Sequence, residues 1–202
     1  MRPRRAATTL GQSAVAADDA RERLLRTAYD LFCRHGLQAV GIDQIIAESD
    51  VAKTTLYRHF RSKEELAVAV VKRREELWSR DWLQAEALRR SRTPEETLLA
   101  VFDVLSEWFR REDYEGCFFI NTLLELHDPT NPVAEASLAA LANVRSFIRG
   151  LAQEVPVADP DDFAWSWHSL MWGSILAASF GDSHAASRSR DIAEMLLQRE
   201  RP

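Results

Sequence analysis

From Lys53 to Lys63 the chain reads KTTLYRHFRSK, with four basic residues (Lys53, Arg58, Arg61, Lys63), two threonine hydroxyls, a phenol, an imidazole and no acid. That set donates hydrogen bonds and positive charge, and a polyanion is its natural partner. Upstream and within it, Ile42, Ile45, Ile46, Val51, Leu56 and Phe60 are spaced to pack two short helices against a third. Such packing leaves Lys53, Thr54, Thr55, Tyr57, Arg58 and His59 outward. A charged run is most often a solvated helix face. Here the helix, tight turn and second helix match the geometry in which a recognition helix enters the major groove, so double-stranded DNA is the expected partner.

The net charge of −5 looks unsuited to that partner until it is divided. Residues 1–65 carry 11 Lys+Arg against 9 Asp+Glu, and residues 66–202 carry 15 against 22. Positive charge is concentrated in the segment that would meet DNA, and the acidic remainder opposes nonspecific coating of nucleic acid. Neither a GxSxG, an HExxH, a phosphate loop nor a dinucleotide fingerprint occurs, so no catalytic residues, metal ligands or cofactor are expected and the protein is not read as an enzyme. Cys33 and Cys117 lack CxxC spacing and read as reduced core thiols of a cytoplasmic protein. The opening residues lack the apolar run of a signal peptide. No segment reaches the roughly 20 apolar residues of a membrane helix, so no membrane partner is expected.

The elements that must position the basic face are helical throughout. With 46% hydrophobic residues and little strand-like alternation, the chain reads as all-α, with nine helices. Residues 1–17, with Arg2, Arg4 and Arg5, form a low-complexity tail. Residues 18–63 form the helix-turn-helix domain and residues 64–202 a second helical domain. The first helix starts near Asp18 and stops at Gly36. Ile42 to Ser49 is the second helix, Asp50 takes the turn, and Lys53 to Phe60 is the third. Ser62 caps a long fourth helix reaching Arg80 or Arg90. Thr93-Pro94 opens a fifth. A short apolar helix follows from Gly116, and Asn131-Pro132 and Asp159-Pro160 open the next two. The last helix covers His184 to Arg199 with Ile192, Met195 and Leu196 inward.

The stretch GLQAVGIDQIIAESDVAKTTLYRHFRSKEEL resembles the DNA-binding domain of the tetracycline-repressor (TetR) family of bacterial regulators. The matching positions are Gly36, Ile45, Val51, Leu56, Tyr57, His59, Phe60, Lys63, Glu64 and Leu66. The remaining three-quarters is similar in helix count, lengths and order. Three positions depart from the family pattern. Gly41 stands where a capping Thr is usual, Asp50 where the turn usually has Gly, and Ala52 where a capping Ser is usual, so phosphate anchoring should differ at Gly41 and Ala52.

The resemblance implies that Lys53, Thr54, Thr55, Tyr57, Arg58 and His59 face DNA. Chemistry divides their roles. Tyr57, His59 and Lys63 suit phosphates, Lys53 and Thr55 suit base edges, and Arg58 suits either. One such unit buries too little surface for tight specific binding, so a homodimer is expected. Gly173, Ala177 and Gly181 recur at four-residue steps as a small-residue stripe, with Phe163, Leu170, Ile192, Met195 and Leu196 around it. Intrachain packing explains such a stripe equally well, and the resemblance favours a bundle across a two-fold axis. It also implies an effector pocket, apolar or aromatic in character, lined by Trp78, Trp82, Phe102, Trp108, Phe118, Trp165 and Trp172, with Asn121, Thr122, Glu125 and His168 to orient a small molecule. The expected function is a ligand-responsive repressor binding a palindromic operator as a homodimer. The alternative is a helix-turn-helix regulator that acts through a protein partner without an effector.

Overall fold

The computed structural model describes residues 20–199, and among them there are helices, turns and loops but no strand. The expected tail at residues 1–17 and the helix start at Asp18 lie outside the described residues. Nine helical segments follow one another: α1 (Ala20–His35), α2 (Ile42–Ser49), α3 (Lys53–His59), α4 (Lys63–Arg74, continuing through a π-helical stretch Glu75–Gln84 into Ala85–Arg89), α5 (Pro94–Phe109), α6 (Phe118–Leu126), α7 (Pro132–Ala152), α8 (Pro160–Ser179) and α9 (Ala185–Arg199). The all-α class with nine helices is as the sequence predicts. The π winding in α4 has no sequence signal of its own. Such windings interrupt α-helices often at functional positions.

Helix starts follow the predicted caps. Ser62 accepts from the Glu65 amide, Thr93 from Glu96, and Asp159 from Asp161 and Asp162. Asn131 Oδ1 accepts from the Val133 amide at 2.8 Å. Each bond satisfies one amide that the first helical turn leaves without a partner. Asp50 takes the left-handed turn at φ 52°, ψ 39°. Gly41 and Ala52 make no side-chain cap bond.

Packing divides the chain into two compact units, Met1–Leu77 with Phe118–Ala140, and Trp78–Cys117 with Leu141–Pro202. This cuts the chain differently from the division by role at residues 63 and 64, because Phe118–Ala140 packs with the amino-terminal helices. In the first unit Leu24, Leu25, Ala28, Leu31 and Phe32 of α1 are buried with Ile45, Val51, Leu56, Phe60, Leu66 and Val70. Seven residues cannot sustain an isolated helix. Therefore α3 owes its shape to Leu56 and Phe60, which anchor it in that core. Truncating Leu56 to Ala would cost roughly 2–5 kcal/mol.

In the second unit α9 packs on α5 and α8. Its buried residues are Ala185, Ala186, Ala193 and Leu197. This corrects the inward assignment of Ile192 and Met195, which are exposed. Three of the four are alanines, which permit close approach of a neighbouring helix, and Ile192 and Met195 lie off that stripe. Among the described residues no helix is long and apolar enough to cross a membrane.

Candidate nucleic-acid interface

The outward side of α3 is polar along its length. Lys53, Thr54 and Arg58 are exposed, Tyr57 is 47% exposed, and Thr55 and His59 are half-buried. Arg21 of α1 lies over the Phe60 ring, with Cζ 5.5 Å from its centroid, and so steadies the end of α3 from behind. Lys53 is paired with an acid of the preceding helix. Its Nζ donates to Asp43 Oδ1 at 3.1 Å, and the bond holds the ammonium pKa above its ordinary value. The pair is well exposed, so its contribution to stability is small. The polar face thus offers donors for phosphates and base edges on one short helix, with one of its cations shared with a carboxylate.

Lys63, at the first turn of α4, is half-buried rather than fully outward. Its Nζ donates to the Gln38 carbonyl at 3.2 Å, and burial holds its pKa below the usual lysine range, partly offset by the Glu125 charge. An ammonium has three donors, so this bond leaves others for a phosphate.

The residues expected to line an effector pocket separate into groups. Trp78, Trp82 and Trp108 form one aromatic cluster, with Trp78 and Trp108 centroids 4.8 Å apart and Tyr114 edge-on to Trp108. His168 lies 4.4 Å from Trp172 by ring centroids. Phe102 packs on Trp167, a tryptophan that sequence reasoning passed over and that is fully buried between Phe102 and Phe163. Three buried polar atoms of α8, Trp167 Nε1, His168 Nδ1 and Trp172 Nε1, have no hydrogen-bond partner among the described residues. Burial, and then the Arg145 charge, pushes the His168 pKa down to about 4, so its ring is neutral at pH 7.

Others depart from that expectation. Trp165 is 49% exposed, with Arg145 Cζ 3.7 Å over its ring, so it sits on the surface of its unit. Phe118 packs on Tyr29 of α1 at 5.2 Å, within the first unit. Asn121 is exposed and Thr122 buried. Glu125 is spoken for: its carboxylate accepts from the Leu37 and Gln38 amides of the α1–α2 loop. An unpaired carboxylate is costly to bury, and this one is satisfied by backbone donors instead of a ligand.

The dimer candidates are likewise divided. Gly173 is exposed, and Leu170, Ala177 and Leu196 are half-buried. Phe163 is buried against Trp167 in its own chain. Gly181 lies beyond the end of α8 at φ 92°, where it makes a turn, so the helical stripe ends before it. Three large apolar residues outside the expected dimer set are exposed, as Ile192 and Met195 are: Trp165, Leu176 and Phe180, the last 83% exposed. Trp165 and Leu176 stand eleven residues apart on α8, about three turns, and Phe180 follows its last residue.

Comparison with known proteins agrees with this geometry. The family described as bacterial regulatory proteins, tetR family, matches residues 24–70, and the tetracyclin repressor-like C-terminal domain matches residues 94–193. A TetR-family transcriptional regulator from Streptomyces coelicolor has a similar solved structure, with a TM-score of 0.81 and 30% identity over 89% of this chain and 95% of that one. A TetR regulator from Chloroflexus aurantiacus has a TM-score of 0.76 at 28% identity, covering 89% and 94%. The transcriptional activator FasR of Mycolicibacterium smegmatis is 43% identical over 56 residues, but that stretch spans only 28% of this chain and 26% of FasR. The regulator YjdC of Escherichia coli is 25% identical over 182 residues, 88% of this chain and 93% of YjdC. The resemblance read from the LYRHFRSKEEL run therefore extends across both domains, and the chain belongs to the TetR family of helix-turn-helix, DNA-binding transcriptional regulators.

Proposed function

We propose that this chain is a ligand-responsive repressor that binds a palindromic operator as a homodimer in the cytoplasm. On DNA, Lys53 and Thr55 meet base edges, Tyr57, His59 and Lys63 hold phosphates, and Arg58 serves either role. The exposure of Lys53, Tyr57 and Arg58 supports these assignments. Dimerisation is supported by the exposure of Trp165, Leu176, Phe180, Ile192 and Met195, apolar side chains that a second copy would cover.

The observation that carries the effector half of this reading is the set of buried, unpartnered donors on α8 among aromatic rings. Buried polar atoms without partners are costly and uncommon. A small aromatic molecule with a hydrogen-bond acceptor would satisfy Trp167 Nε1 or Trp172 Nε1, with the neutral His168 as a further partner. Its binding would alter the pose of α4 and hence of the recognition helix, provided the ligand binds the two states with different affinity.

The test has two stages. A thermal-shift screen of small aromatic compounds identifies a binder, and affinity for a duplex enriched by the protein from a random pool is then measured with and without it. Equal affinities would remove the ligand-responsive mechanism. For the sign of regulation, loss of the protein should raise transcription from a promoter carrying that duplex, and a fall would mark an activator instead.

A further inference from the structure

The loop between α1 and α2 is held by a side chain that lies far along the chain. Gly36 takes φ 84° and turns the backbone so that the next two amides converge. The Leu37 amide donates to Glu125 Oε2 at 2.7 Å and the Gln38 amide to Glu125 Oε1 at 2.5 Å. Gln38 answers with its own side chain, Nε2 donating to the Glu125 carbonyl at 2.9 Å. Successive backbone amides converging on one anion form a nest, and here the anion is supplied by α6. A Cβ on Gly36 would stand 2.9 Å from Glu125 Oε1, so glycine is required both by the backbone conformation and by the carboxylate.

The relay does not stop at the loop. The Gln38 carbonyl accepts from Lys63 Nζ, so the residue held by Glu125 in turn holds the ammonium at the start of α4. One residue on, Glu64 Oε1 accepts from Asn131 Nδ2 at 3.2 Å, a second bond between this turn and the segment that follows α6. Charge-assisted bonds to a carboxylate are shorter and stronger than neutral ones, which suits a part that must keep a position.

We propose that Glu125 is a positioning residue for DNA binding, acting through the Leu37–Gln38 loop to place the Lys63 ammonium for a phosphate. This rests on the reading of Lys63 as a phosphate contact. Glu125 itself touches no DNA, and any displacement of α6 is carried to Lys63 through two hydrogen-bonded residues.

The experiment measures, in the full-length protein, affinity for a duplex enriched by the parent chain, as a function of salt. Glu125→Gln keeps the shape of the side chain but turns one acceptor into a donor that faces an amide. It is expected to bind about tenfold more weakly, with faster hydrogen exchange at Leu37 and Gln38. Both Glu125→Gln and Lys63→Met are expected to lower the slope of log K against log salt by about one, and the double variant to lower it no further than either alone. A purely structural role would lower the unfolding midpoint and leave the slope alone. Glu125→Asp, which keeps the charge but shortens the reach, is expected to lose the same slope and serves if Glu125→Gln does not fold. An unchanged slope in a folded Glu125 variant, or additive losses in the double variant, overturns the proposal. A parent chain that enriches no duplex overturns the functional reading beneath it, a different and separately visible outcome.

Discussion

Two sets of side chains in this protein stand exposed to solvent, and they do so in opposite chemical ways. The face of α3 offers Lys53, Thr54, Tyr57 and Arg58 to solvent, groups that water satisfies well. Trp165 and Leu176 of α8, Phe180 just after it, and Ile192 and Met195 of α9 are exposed apolar side chains, which water does not satisfy. In the proposed role the first set gains by meeting phosphates, with an affinity that falls as salt rises. The second is costly alone and gains by being covered, with an affinity that salt hardly weakens. Polar side chains can remain open to water, whereas exposed apolar ones are stabilised by cover.

Charge placed on the apolar face should break this contrast most. Leu176→Glu with Met195→Glu is expected to raise the dimer dissociation constant by at least about a hundredfold, checked by sedimentation equilibrium, because hot-spot apolar contacts carry most of an interface's energy. A variant that stays as dimeric as the parent would remove this face from the interface. Next in size, Arg58→Ala should weaken binding to the enriched duplex by about tenfold and flatten the salt dependence by about one if its contact is a phosphate. An unaltered slope with relaxed sequence preference would assign Arg58 to a base instead.

The third expectation concerns pH, and its two parts oppose each other. His168 titrates near 6.5 when unfolded and at about 4 when folded, so the unfolded chain binds the extra proton and stability falls as pH drops through that window. Glu115 is ordinarily at 4.5, and burial pushes it up to about 7. Here the folded chain binds the extra proton, so stability falls as pH rises from 4.5 to 7. Between 4.5 and 6.5 the slopes offset. His168→Phe should therefore become less stable with rising pH, and Glu115→Gln with falling pH, each by roughly 1–3 kcal/mol across the window in urea unfolding. Parallel curves for parent and variants would contradict both shifts.

The smallest expected effect belongs to Asp43→Asn, which releases Lys53 from its exposed carboxylate. Stability should hardly change, because the pair is exposed and screened, and affinity for the duplex should rise a few-fold at low salt only. A loss of affinity would make Asp43 a contact to DNA in its own right, for example with a cytosine amino group.

The DNA head was legible because its signals are local. The Ser62 cap, the turn at Asp50 and the apolar spacing from Ile42 to Phe60 each lie within a few residues of what they control, and the structure realises them. The orientation of α9 was not legible from its apolar residues. Ile192 and Met195 look like core on hydrophobicity, yet α9 turns its alanines inward because close helix approach requires small side chains. Gly181 looked like the third member of a helical stripe, but α8 ends before it, at Ser179.

Glu125 marks the limit most clearly. By itself the sequence determined an all-helical chain, its caps, and a basic recognition helix, because period, cap chemistry and charge are properties of neighbouring residues. Only the tertiary structure decided that a carboxylate at position 125 would be satisfied by amides at 37 and 38, since that bond depends on which helices pack together. The same holds for the sharing of Lys63 with Gln38 and for the burial of Trp167 while Trp165 two residues earlier remains at the surface. Periodicity shows that a helix has an inner face, but which neighbour that face meets is settled by packing across the whole chain.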